Sequence, residues 1–199
     1  MRHLPPSPVS FRGDWRGGRQ PLPAKYFMGT TSGTEILCAC CARISKTCCR
    51  GREIYITPAD ANRIALFTGR SDFTEWRAPE NPDYSEQSDD PIWDRHVFRK
   101  DRTRRILRRS PDGGCTFLTP VGCLLPESVR PLVCRLHPFT YTASGIDGEP
   151  SPDCPRDLVP SGMNVFEALH MSTEQARQWH RMLYEEILTE NDNDNRPDI

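Results

Sequence analysis

Five cysteines crowd between positions 38 and 49, namely Cys38, Cys40, Cys41, Cys48 and Cys49, and Cys115, Cys123, Cys134 and Cys154 follow. Thiols at this density point to metal binding, disulfide stapling or redox chemistry. Cys38-x-x-Cys41 has the spacing with which two cysteines chelate one ion from a tight turn. Cys48 and Cys49 are adjacent, and on an extended backbone neighbouring side chains face opposite ways. They therefore serve different ions, or one ligates while the other packs. Cys115-x7-Cys123-x10-Cys134 supplies the other half of the site. Tetrahedral zinc needs four ligands. The surplus thiolates leave room for a second ion or for a cluster, and an iron–sulfur cluster is also held by cysteine alone.

The first residues, Met1-Arg2-His3-Leu4-Pro5-Pro6, form no apolar run of the secretory kind, and no stretch reaches the roughly 20 apolar residues of a membrane span. A cytoplasmic protein with no membrane partner is expected. Disulfides are rare in that compartment, and nine cysteines cannot all pair within one chain. Metal is the favoured reading, with zinc or iron as cofactor. A net charge of −1 gives no bulk pull toward nucleic acid or membrane.

Apolar residues make up 36% of the chain and prolines number 19, so the expected hydrophobic core is modest and a metal supplies part of the folding energy. The expected fold is α+β: a small metal-organised domain with short strands, a few helices and long loops. A disordered tail is expected over 1–34, the cysteine domain over 35–160, a helical segment packed on it over 161–190 and a second tail over 191–199. Within the domain, residues 38–50 form a cysteine knuckle and 53–56 a strand. Thr57-Pro58-Ala59-Asp60 begins a helix that Gly69 ends. Residues 70–92 read as an irregular loop. Residues 93–98 and 103–107 read as a hairpin rich in arginine. Cys115–Leu118 reads as a short strand, and the proline-rich stretch after Cys134 as loop. Ser172 with Gln175 makes a capping box for a helix over about 173–189, with Ala176, Trp179, Leu183 and Ile187 on one face.

The order CxxC, CC pair, EIYITPADANRIA and GGCTFLTPVGCLLPESVRPLVCRLHPF resembles the YkgJ-type cysteine-cluster family, described as a zinc- or iron-chelating domain and labelled by a CxxCxxCC motif. The resemblance runs from about 38 to 139. It implies that Cys38, Cys41, Cys48, Cys49, Cys115, Cys123 and Cys134 are metal ligands. Six residues separate Cys41 from the CC pair where the label has two, and Cys40 is extra. Cys154 lies outside the motif. Arg130-Pro131 is expected to fix loop geometry, Arg135 to hydrogen-bond the ligands, and His137 to pack as a ring.

Three functions follow. The first is a metal-binding module that is not an enzyme. The second is an iron–sulfur enzyme, since flagellin lysine-N-methylases carry a similar cysteine block. No Gly-rich cofactor loop, Ser/His/Asp set or carboxylate pair stands out to support it. The third is a nucleic-acid binder using the basic 95–109 ribbon. Acidic residues of 72–94 compete for the same arginines, so nucleic acid is not the expected partner. A protein partner is left unassigned.

Overall fold

The computed structural model describes residues 36–44, 48–85, 88–152 and 154–194, all within a compact unit that spans Thr34–Ile199. The tail expected over 1–34 and residues 195–199 lie outside the described residues. No described helix is long and apolar enough to cross a membrane.

Helix α1, Leu37–Arg43, carries the first three cysteines, so a helix stands where the spacing predicted a knuckle. An extended segment follows, with Ile56 N–H donating to the Arg105 carbonyl and Leu107 N–H to the Ile54 carbonyl at 3.2 and 2.8 Å. Helix α2, Pro58–Thr68, starts at a reciprocal capping box between Thr57 and Asp60. It ends at Gly69, whose φ of 69° is a left-handed conformation that glycine adopts without a Cβ penalty.

Strand β1, Thr74–Arg77, lies where sequence predicted an irregular loop. It pairs antiparallel with β2, Arg104–Leu107. Between them runs helix α3, Pro91–Val97, where a strand was predicted. Local chemistry explains this difference. Asp90 accepts the Trp93 N–H at 3.1 Å as N-cap, Pro91 suits the first helical position, and Trp93 and Val97 bury one face.

Two short hairpins follow. Strands β3, Leu118–Thr119, and β4, Gly122–Cys123, form the first. After helix α4, Leu132–Leu136, strands β5, Phe139–Thr142, and β6, Gly145–Pro150, form the second, in a stretch read from sequence as loop. A short helix α5, Val165–Ala168, precedes α6, Thr173–Asp194. Ser172 and Gln175 cap α6 reciprocally, at 2.8 and 3.1 Å.

Two apolar clusters hold these elements. The larger packs Tyr55, Trp93, Leu132, Leu136, Phe139, Trp179, Leu183 and Ile187, joining α3, α4, β5 and α6. The smaller packs Ile56, Ile64, Phe73, Leu107, Phe117 and Leu125 beneath α2 and β2. Buried polar bridges tie the two together. Asp60 of α2 accepts the Leu132 N–H of α4 at 3.2 Å, and Arg63 of α2 reaches Glu186 of α6 at 2.6 Å. The domain is thus α+β with short strands and a few helices, as composition implied. Metal organisation is not supported: among the described residues no group of three or more His, Cys, Asp or Glu is placed to hold a metal ion.

Candidate functional site

Eight of the nine cysteines line one cavity of about 210 Å³: Cys38, Cys41, Cys48, Cys49, Cys115, Cys123, Cys134 and Cys154. Its remaining wall is largely apolar and draws on both clusters, with Leu37 and Leu169 from one and Leu107, Phe117 and Leu125 from the other. The thiols therefore gather at the seam between the two cores.

Separate elements bring them there. Cys38 and Cys41 lie three residues apart on α1 and so share a helix face. Cys40 lies off that face, does not line the cavity, and receives a hydrogen bond from Arg43 Nη2 at 3.9 Å. Cys123 ends β4, whose Gly122 packs so closely on α1 that a Cβ there would stand 3.5 Å from the Ala39 Cα. Cys134 sits on α4. Arg50 and Gly114 form an antiparallel bridge, and Cys115 N–H donates to the Cys49 carbonyl at 2.8 Å. Cys49 and Cys115 are consequently cross-strand neighbours.

Burial pushes the Cys38 thiol up to about 11 and the Cys115 thiol up to about 12. Burial also raises Cys41, Cys123, Cys134 and Cys154. Cys48 is raised first by a side-chain hydrogen bond with Cys49 and then by burial. A charge on Cys49 adds to the upward shift of Cys38, Cys41, Cys48, Cys115, Cys123 and Cys134. Arg130 opposes the rise at Cys38 and Cys123 and hydrogen-bonds the latter. Its guanidinium is aimed by an Nε–H bond to the Leu125 carbonyl at 2.9 Å.

The seven cysteines singled out from the sequence are therefore neighbours in space, and Cys154, which lies outside the motif, joins them. The metal assignment is corrected: the thiols spread over the wall of a cavity, and none of the described His, Cys, Asp or Glu residues form a set able to chelate zinc or iron, as ions or as an iron–sulfur cluster. A metal partner and the YkgJ-type reading fall with it. Arg135 does not serve the thiols either. It donates to the carbonyls of Arg130 at 2.8 Å and Ser128 at 2.7 Å, bracing the turn before α4. His137 lines the cavity. The signal for Arg130 was present only as a loop-fixing Arg-Pro pair; its place beside two thiols depends on the fold.

The basic ribbon is also corrected. Arg102 pairs with Asp94 at 2.9 Å, Arg104 with Glu53 at 3.0 Å, Arg105 with Glu190 at 2.8 Å and Arg109 with Glu80 at 3.6 Å. Arg99 stacks on Trp76 at 3.2 Å, and Arg105 lies 4.7 Å from the same ring. These contacts commit Arg99, Arg102, Arg104, Arg105 and Arg109 to the protein's own carboxylates and rings, and nothing specific among the described residues supports a nucleic-acid surface. Comparison with protein families, curated proteins and solved structures gave no match to this chain.

Proposed function

We propose that this protein is a thiol redox module, in which neighbouring cysteines of the cavity pass between dithiol and disulfide. The observation that carries this reading is the gathering of eight cysteines around one cavity with no disulfide among them. Each event removes two electrons and two protons from a pair of thiols and passes them to an oxidant of the disulfide or peroxide class; a thiol reductant reverses it. The cavity stands between the two apolar clusters, so a bond across it reports on the packing of both.

The raised thiols support a stoichiometric sensor rather than a catalyst. The thiolate is the nucleophile, and at neutral pH burial keeps little of it available at Cys38 or Cys115. Such a site responds to a sustained oxidant load and ignores brief exposure.

Equilibration in graded mixtures of reduced and oxidised dithiothreitol tests the reading. Counting the remaining thiols should show loss in pairs, monomeric product and full recovery on reduction. Oxidation that yields only intermolecular dimers or aggregates would overturn it.

A further inference from the structure

Within this redox reading, on which the inference rests, we infer that Cys49 is the thiol through which the cavity is oxidised, that Cys115 is its first disulfide partner, and that the oxidant is a small uncharged peroxide. Two observations converge on Cys49. Its backbone pairs with that of Cys115 across the Arg50–Gly114 bridge, and both side chains line the same cavity. The one Cys115 N–H bond to the Cys49 carbonyl sets the two residues opposite each other, and a fully hydrogen-bonded antiparallel pair has Cα atoms about 5.5 Å apart, inside the range a disulfide spans. Cys48 hydrogen-bonds Cys49 from the adjacent position, so a thiolate formed at Cys49 has a donor beside it.

The size and lining of the cavity choose the oxidant. A volume of about 210 Å³, walled mainly by leucine, phenylalanine and proline with Arg52, Glu53, Arg130 and His137 among them, admits hydrogen peroxide or a short alkyl hydroperoxide. A bulky, multiply charged disulfide such as oxidised glutathione has no comparable volume and loses its hydration on entry.

The chemistry balances in two steps. The Cys49 thiolate attacks one peroxide oxygen, the O–O bond breaks, and the leaving hydroxide takes a proton to become water, giving a sulfenic acid. The Cys115 sulfur then attacks the Cys49 sulfur. The S–O bond breaks, the Cys115 proton leaves with the hydroxyl as a second water, and the disulfide forms. Overall two thiols are oxidised by two electrons and one hydrogen peroxide is reduced to two waters, or one alkyl hydroperoxide to an alcohol and a water. Cys48 is a positioning residue: it supplies the hydrogen bond and takes no part in the bond changes.

Hydrogen peroxide titration of the full chain, with alkylation of the remaining thiols and peptide mapping by mass spectrometry, tests this. The first disulfide should link Cys49 to Cys115, and peroxide should act at least tenfold faster than oxidised glutathione at equal concentration. Cys115→Ser should leave a sulfenic acid at Cys49 that dimedone traps. Cys48→Ala should slow the reaction severalfold yet keep the same linkage. Circular dichroism confirms that each variant is folded. A first disulfide that omits Cys49, or dimedone capture elsewhere in Cys115→Ser, would overturn the inference while leaving the redox reading in place. The absence of any intramolecular disulfide at every peroxide dose would overturn both.

Discussion

Asp60 is fully buried, and its carboxylate accepts the Thr57 N–H at 3.3 Å, the Leu132 N–H at 3.2 Å and an ion pair from Arg63 at 2.5 Å. Asp60→Ala removes all three at once. Two buried backbone N–H groups are left without a partner, each costing roughly 1–3 kcal/mol. Arg63 keeps Glu186 at 2.6 Å, so its charge is not stranded. These losses are not additive, and the expected destabilisation is about 3–5 kcal/mol, the range for removing one member of a buried pair. The Leu132 bond sets the start of α4, the helix that carries Cys134. Cys134 should therefore become reactive toward a maleimide in the variant before global unfolding. Urea denaturation followed by circular dichroism gives the first quantity and timed alkylation the second. A loss below about 1 kcal/mol would instead mean that the buried N–H groups find water or new partners, and that Asp60 is not what holds them.

Asp60→Asn sharpens the test. Burial raises the Asp60 carboxyl despite Arg63 beside it. Arg63 is itself held up by Glu186 and Asp60 although burial pulls it down, so the guanidinium side of the pair is favourable while the carboxylate side is not. Asp60 is the more deeply buried partner, so its direction governs. A carboxyl whose folded pKa lies above its unfolded value binds its proton more tightly in the fold. Its contribution is greatest at low pH and declines as pH rises through the usual carboxylate range to the raised value. The stability gap between wild type and Asp60→Asn should shrink over that interval and stay level above it.

Glu53 and Arg104 form a buried pair at 3.0 Å, and Glu53 also accepts the Glu80 N–H at 2.7 Å. Glu53→Ala should cost about 3–5 kcal/mol in a denaturation curve, since it strands a buried guanidinium. Leu183→Ala, at a fully buried position of α6, should cost about 2–5 kcal/mol by the same measurement. Iodoacetamide labelling at Cys38, followed by mass spectrometry, should remain slow at pH 8 and rise steeply toward pH 11, because burial pushes that thiol up to about 11. A labelling rate already level by pH 9 would contradict it.

Sequence alone determined the local starts and stops. Thr57 through Gly69 carries its own capping box, first-turn proline and left-handed stop, all within a dozen or so residues, and the chain folds there as those signals say. The Ser172–Gln175 box and the stripe Ala176, Trp179, Leu183 and Ile187 likewise specify α6 and its buried face. The resemblance grouped seven cysteines, and the fold places those seven, with Cys154, on the wall of one cavity. Their chemistry was not legible in the sequence. Whether thiols converge on an ion or line a cavity depends on how α1, β4, α4 and the 48–49 turn approach one another, and that is set by two apolar clusters assembled from distant segments. The arginine run obeys the same reason. Acidic residues of 72–94 are near it in sequence, and Asp94 and Glu80 pair with it, but Glu53 and Glu190 reach it only after the chain has folded back on itself. Short strands such as β1 acquire their identity from a partner far along the chain, so pairing decides them where local propensity does not.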